Sequence, residues 1–318
     1  MKQGMGLFVL CSLCLLLCLN ADTEAKRDGL PRLPGAVLLL GYGPTNLQIT
    51  TPTQTLRLQP TGDDPASWGH HVLPGLSQDG KVVASARLKA AGRETIATYA
   101  VSEKKWTEHA EVNNLWGVSI SADGTKLAFV SDEKGNGSLL KVLDTRTGVT
   151  ILVVPTPVSI YAVPSWSPDG QRIAYQVDLP LVDPHIDHRE FAINVVDIRT
   201  AKTWKAAIGQ NPSWSPSGEW IAYLDNSGNP GGGTRCMRVR PEGTDVKVLT
   251  TLPRGLLGQR GQFAWAPVWS PNSTKLLLNE VADWEAWTMS IDLLDLATNK
   301  LTRKVWKGLP VLGWAESK

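Results

Sequence analysis

One short stretch of this sequence contains residue types that could carry out chemistry. Residues 183–190 read Asp-Pro-His-Ile-Asp-His-Arg-Glu, which places His185 and His188 three positions apart among carboxylates. Imidazole and carboxylate groups in this pattern can bind zinc or manganese, and histidine can transfer protons near neutral pH. The candidate metal ligands are Asp183, His185 and His188. The competing interpretation is a solvated polar loop whose histidines and aspartates hydrogen-bond to each other.

Other signatures of catalysis do not occur in the sequence. It contains no Gly-x-Ser-x-Gly of a serine hydrolase, no Walker loop and no Gly-x-Gly-x-x-Gly. Glu111, Asp178 and Glu280 share no spacing that would predict a glycosidase pair. The 318 residues carry 32 Lys plus Arg against 30 Asp plus Glu. This balance provides no overall field for nucleic acid or an anionic membrane, so we predict neither as a partner.

The amino terminus has the pattern of a secretory signal. Lys2 is followed by an almost wholly apolar run, Leu7–Leu19, which is shorter than a membrane span. We predict a signal peptide over 1–21, with cleavage after Ala25 as an alternative, and a polar segment over 22–29. Lipid anchoring at Cys18 is disfavoured because Leu17 stands where a small residue is expected. The prediction is export to the periplasm or the extracellular space, with no membrane span after cleavage.

The rest of the chain is a repeat. Each copy predicts a strand, a tight turn and a second strand, because Asp-Gly favours the positive dihedrals of a hairpin turn and the following residues are β-formers. A tryptophan stands at a fixed offset and suits a wedge between neighbouring sheets. The clearest copies are Pro164-Ser-Trp-Ser-Pro-Asp-Gly170, Pro212-Ser-Trp-Ser-Pro-Ser-Gly218 and Pro267-Val-Trp-Ser-Pro-Asn-Ser273, with weaker ones at 118–124 and 74–80.

The spacing of the repeat predicts a propeller. The turn positions Gly80, Gly124, Gly170, Gly218 and Ser273 are 44, 46, 48 and 55 residues apart, close to the length of a propeller blade. A second pair of strand-like segments follows most copies. We therefore predict an all-β, six-bladed β-propeller of four-stranded antiparallel blades, forming a single domain over 30–318. The C-terminal Pro310–Ser317 has the pattern of an inner strand and is predicted to join the first blade and close the ring.

The Trp-Ser-Pro-Asp-Gly phrase followed by Ile-Ala-Tyr resembles the TolB-type, WD40-like β-propeller repeat. Two copies depart from it, since Leu76 and Ile120 stand where tryptophan is expected. The resemblance implies an exported propeller that serves as a binding platform in envelope complexes. Propeller lyases that act on acidic sugars are similar to this family and use a metal held by histidines, which keeps the His185 alternative open.

The segments that lead into the inner strands should line one mouth of the central channel. They carry amides and aromatic rings, a neutral and hydrogen-bonding set suited to a peptide or a sugar. The alternative is that Trp116 and Trp265 only pack between blades. The candidate binding residues are Asn113, Asn114, Trp116, Tyr161, Gln210, Asn211 and Trp265.

These observations favour a binding protein over an enzyme. We predict a monomeric, non-catalytic module without a cofactor, which binds an envelope protein or peptide. The alternative is a metal-assisted lyase or hydrolase that acts on a saccharide through the His185/His188 loop. A third interpretation is a structural scaffold of the envelope that buries the same rim against a permanent partner.

Overall fold

The computed structural model describes residues 36–41, 47–51, 54–58, 73–88, 94–160, 163–180, 190–225, 234–252, 265–283 and 288–316. Within these ranges the regular elements are 23 strands, and every strand pairs antiparallel with its neighbours in a sheet. No helix in this part of the chain is long and apolar enough to cross a membrane.

The two ends of the described chain share one sheet. It comprises β1 (Ala36–Leu40), β2 (Gln48–Thr50), β3 (Thr55–Arg57) and, on the other side of β1, β23 (Val311–Glu316). Leu38 lies opposite Trp314, and the register shifts between Leu39 and Leu40. The C-terminal strand therefore closes the molecule onto its first strand, as the sequence predicts.

Three further sheets have four strands each and follow one another along the chain. The first comprises β11 (Ser165–Trp166), β12 (Arg172–Asp178), β13 (Phe191–Asp197) and β14 (Thr203–Ile208). The second comprises β15 (Gln210–Trp214), β16 (Ile221–Asp225), β17 (Thr234–Val239) and β18 (Lys247–Leu252). The third comprises β19 (Val268–Trp269), β20 (Lys275–Asp283), β21 (Thr288–Asp295) and β22 (Lys300–Gly308).

The remaining strands form one sheet of seven, so the prediction of six four-stranded blades is wrong. Four blades of four strands are present. The seven-stranded sheet comprises, in chain order, β4 (Gly75–Leu76), β5 (Val82–Leu88), β6 (Glu94–Ala100), β7 (Lys105–Ile120), β8 (Lys126–Glu133), β9 (Gly137–Asp144) and β10 (Thr150–Val154).

The 16-residue strand β7 is the physical reason for this difference. Its first half pairs with β6 and its second half with β8. The register shifts between Asn113 and Leu115 and again between Leu115 and Gly117, as at β-bulges. The chain thus bends at this point but stays within the sheet. The repeat spacing instead predicts a break between two blades here.

The predicted tight turns are built by a recurring serine and aspartate. Ser167 Oγ donates to the Asp169 carboxylate and accepts from the backbone N–H of Arg172 at 2.9 Å. Gly170 then adopts a φ of 65°, in the left-handed region. The same pattern occurs at Ser77–Gly80 and Ser121–Gly124, which also confirms the two weaker repeats as hairpins.

The repeat tryptophans pack between neighbouring sheets. Trp166, Trp214 and Trp269 are all buried. Trp166 belongs to a cluster that includes Val130 and Leu140 of the preceding sheet. Trp269 donates its indole N–H to the Ser213 carbonyl at 2.9 Å, across to the β15 strand. The wedge predicted from the fixed offset is therefore confirmed for these three tryptophans, and the indole of Trp269 also links β19 to the preceding inner strand β15.

Candidate functional site

A cavity lies where the innermost strands meet. These strands contact one another in a closed sequence, from β4 through β7, β11, β15 and β19 to β23 and back to β4. The cavity has a volume of about 220 Å³. The seven-stranded sheet provides two of the segments that line it, and each four-stranded sheet provides one. The segments are 73–78, 119–122, 163–168, 212–216, 265–269 and 311–314.

The chemistry of this channel is neutral. Among the described residues, no side chain that lines the cavity is ionisable. The polar side chains are those of Gln78 and of serines, and the rest of the wall consists of tryptophan, proline, aliphatic residues and glycine. Such a wall offers flat apolar surfaces and hydroxyl groups but no general acid, base or metal ligand. It is suited to binding a neutral, partly apolar ligand.

The predicted rim residues of β7 surround one carboxylate. Asn114 Nδ2 donates to Asp132 Oδ2 at 2.7 Å, and Trp116 Nε1 donates to Asp132 Oδ1 at 2.8 Å. Burial acts to raise the pKa of Asp132, but the hydrogen bonds that its carboxyl accepts outweigh burial and hold the pKa below its usual value. Asn113 and Asn114 are exposed, and Trp116 is half-buried against the neighbouring sheet.

The rim residues of β15 are buried instead. Gln210 and Asn211 are each only 4% exposed. The backbone N–H of Asn211 donates to Gln176 Oε1 at 2.9 Å, and Gln176 Nε2 donates to Ser159 Oγ at 3.1 Å. Gln210 Nε2 has no hydrogen-bond partner within the described residues. Neither Gln210 nor Asn211 lines the cavity.

The remaining predicted site residues have different outcomes. Trp265 lines the cavity and is also buried in a core cluster with Val268 and Val311, so the packing role considered for it is present. Tyr161 and the alternative metal ligands Asp183, His185 and His188 lie outside the described residues. The described residues contain no cluster of three or more metal-ligating side chains. The structure therefore leaves the His185/His188 prediction as a prediction.

Sequence reasoning missed a buried carboxyl pair. Glu280 of β20 and Asp292 of β21 are 1% and 0% exposed. Arg303 of β22 reaches both, with Nη2 at 2.8 Å from Glu280 Oε2 and Nε at 2.8 Å from Asp292 Oδ2. The backbone N–H of Lys304 donates to Asp292 Oδ1 at 2.6 Å. These residues come together because β20, β21 and β22 are adjacent strands, which no spacing along the chain reveals.

One guanidinium faces two carboxyl groups in this pair. Burial, together with the negative charge of Asp292, raises the pKa of Glu280 to about 7, and Arg303 only partly opposes this. Burial also raises the pKa of Asp292. The pair is thus prone to hold a proton at mildly acidic pH. Because both groups are closed off from solvent, we interpret the pair as structural.

Antiparallel sheets arranged around a central channel define the chain as a β-propeller. No family model matches the sequence, and no curated protein matches it at significant similarity. Its fold is nevertheless shared with solved propellers. TolB from Acinetobacter baumannii is 15% identical with a TM-score of 0.64, over 88% of this chain and 66% of that one. The present chain thus spans about two thirds of the length of that TolB.

Two further structures are similar. A protein of Agrobacterium tumefaciens assigned as TolB is 17% identical with a TM-score of 0.56, over 87% of this chain and 92% of that one. A chain of the nidogen/laminin complex is 11% identical with a TM-score of 0.58, over 88% of this chain and 98% of that one. At these identities the likeness concerns the fold alone. The resemblance to TolB-type propellers is confirmed at that level.

Proposed function

We propose that this chain is an exported, non-catalytic propeller that binds a peptide segment of an envelope protein in its central channel. The neutral wall of the cavity is the observation that carries this proposal, because the described lining residues offer aromatic surfaces and hydroxyls without an ionisable group. Export rests on the signal-like Leu7–Leu19 run, and the TolB-like fold supports a role with protein partners.

A peptide fits this wall for a physical reason. An extended backbone presents alternating N–H and C=O groups, which serine hydroxyls can satisfy as donors or acceptors. Apolar side chains of the peptide would bury surface against the tryptophans and prolines of the wall. A charged ligand would lose hydration in this channel and gain no ionic partner from the described residues. The proposal is therefore a neutral, partly apolar segment rather than an acidic or basic one.

The test places a charge in the neutral channel. Gln78 lines the cavity and is exposed, so Gln78→Lys should leave the fold intact. Gln171 is an equally polar, exposed residue that does not line the cavity, and Gln171→Lys is the matched control. The mature protein is used to capture partners from a native envelope extract, and the affinity for the captured protein is then measured. We expect at least tenfold weaker binding for Gln78→Lys and unchanged binding for Gln171→Lys.

Two results would overturn the proposal. One is equal binding by both variants, which would place the partner away from the channel. The other is about one equivalent of zinc or manganese in the purified protein that is lost in the double variant His185→Ala/His188→Ala. That result would favour the metal-assisted enzyme on a saccharide instead.

A further inference from the structure

The outer strand β10 differs from the other outer strands of the molecule. It ends the seven-stranded sheet on the side away from the channel. The outer strands β3, β14, β18 and β22 each contain at least one lysine or arginine, whereas β10 reads Thr-Ile-Leu-Val-Val. Charged side chains on an edge strand normally prevent it from pairing with another chain. Strand β10 lacks this protection.

The apolar side chains of this edge are exposed on both faces. Val149 is 56% exposed, Ile151 46% and Leu152 52%. Successive residues of a strand point to opposite faces, so Ile151 and Leu152 present apolar surface on both sides of the sheet. Only Val153 and Val154, at the end of the strand, enter the core. The first half of β10 is therefore an exposed, apolar edge strand.

The backbone N–H and C=O groups of β10 point away from the sheet at two positions. Asp144 donates its amide to the Val149 carbonyl at 2.9 Å, and Ile151 lies opposite Val142 of β9. The N–H and C=O groups of successive residues point alternately to the two sides of an antiparallel strand. Because Val149 and Ile151 face β9, the N–H and C=O groups of Thr150 and Leu152 point away from it. Within the described chain, no strand pairs with this side of β10.

We propose that β10 of a second copy of this chain pairs with this edge. The two strands run antiparallel about a two-fold axis at Ile151. In that register Thr150 of each copy lies opposite Leu152 of the other. Their outward N–H and C=O groups then form four hydrogen bonds across the axis.

Charge argues for a second copy on this particular edge. The strand contains no charged side chain, so two-fold pairing about Ile151 brings no like charges of β10 together, whereas β22 carries several basic residues. The contact involves only one short strand of each chain, so we expect a weak, concentration-dependent dimer in place of the monomer predicted from the sequence.

Sedimentation of the purified protein from about 1 to 500 µM tests this proposal, a range chosen for a weak dimer. We expect the mass to rise from one chain to two across this range. Ile151→Lys should keep the mass at one chain throughout, because two lysines would meet at the axis. Val248→Lys is the matched control, since Val248 is 49% exposed on β18 next to Lys247, and it should associate like the wild type. A wild-type mass of one chain at every concentration would overturn the proposal, as would undiminished association of Ile151→Lys.

Hydrogen exchange gives a second measurement that needs no variant. The amides of Thr150 and Leu152 should exchange more slowly at high protein concentration than at low concentration. The amide of Ile151, which points to β9, should be protected at both and serves as the internal control. Exchange at Thr150 and Leu152 that does not depend on concentration would also contradict the dimer.

Discussion

At the scale of single residues, the pair Glu280 and Asp292 places two carboxyl groups together in the core, where burial opposes their ionisation. Both carboxyl groups are buried, and they share Arg303 as their cationic partner. The turn aspartates are in the opposite situation. Asp144, Asp197 and Asp295 accept backbone N–H bonds that hold their pKa values below the usual range. The two groups of acids therefore make stability depend on pH in different windows.

The first prediction concerns the pH dependence that Glu280 imposes. Its pKa is about 7 in the folded protein against 4.5 for the ordinary group, so the folded state keeps a proton that the unfolded chain releases between these values. The free energy of unfolding should therefore fall as pH rises from about 4.5 to 7, by about 1–3 kcal/mol. Glu280→Gln should remove most of this fall, because the amide does not titrate. Urea denaturation at pH 5, 6, 7 and 8 measures it.

An exposed glutamate provides the control for this prediction. Glu242 lies on the surface beside Arg172, and Glu242→Gln should retain the pH dependence of the wild type. If the free energy of unfolding of Glu280→Gln falls equally steeply with pH, groups other than Glu280 cause the fall. The turn aspartates do not complicate the comparison. Their lowered pKa values stabilise the fold above the ordinary aspartate range, and this contribution is lost only as pH falls below about 4.

At the scale of elements, the connection from β14 to β15 requires a residue without a side chain. Gly209 has a φ of 147°, and its N–H donates to the Phe191 carbonyl at 2.8 Å. A Cβ at this position would lie 2.5 Å from Tyr223 Cδ2 and 2.7 Å from the Leu224 carbonyl. Because this residue has no side chain, the backbone can approach Tyr223 and Leu224 of β16 and place Asn211 within hydrogen-bond reach of Gln176 in the preceding sheet.

The second prediction follows from that close approach. Gly209→Ala should destabilise the protein by about 2–4 kcal/mol, because both the backbone and the packing must shift. Gly170→Ala is the matched control. Gly170 also has a positive φ, but a Cβ added there would meet nothing within 4 Å, so the substitution should cost only about 1 kcal/mol. Chemical denaturation measures both values. Similar losses in the two variants would mean that the approach to Tyr223 is not tight.

At the scale of the whole molecule, the ring is held closed by the last strand. Strand β23 pairs with β1, and the Asn279 side chain reaches its backbone from the preceding sheet. Asn279 Nδ2 donates to the Val311 carbonyl at 2.9 Å, and Asn279 Oδ1 accepts from the Val311 N–H at 2.8 Å. One strand thus connects the first and last four-stranded sheets.

The third prediction concerns this closure. Deletion of residues 309–318 should expose the edge of β1 and the core around Leu277 and Ile291. We expect a loss of cooperative unfolding, or aggregation, rather than a small shift in the melting temperature. Deletion of residues 317–318 alone is the control and should leave the melting temperature unchanged. A cooperative transition at the wild-type temperature in the longer deletion would show that the ring is stable without β23.

The sequence by itself determined the strands, the turns and the closure. Apolar residues on either side of Asp169-Gly170 specify a hairpin locally, and the same phrase repeats in phase, so the propeller class could be inferred without a structure. Trp314 stands at the repeat offset and indicated that the C-terminus supplies an inner strand. These features depend on residues that are close in sequence or on a repeated pattern, which is why they are readable.

Only the tertiary structure decided the number of separate blades and the contents of the site. Whether β7 continues from one sheet into the next depends on hydrogen bonds to β6 and β8 and on its bulges, which a repeat length does not specify. The Glu280–Asp292–Arg303 group and the buried positions of Gln210 and Asn211 likewise arise from contacts across strands and sheets. Pairing and burial are set by the whole chain packing together, so residues distant in sequence acquire their environment only in the folded molecule.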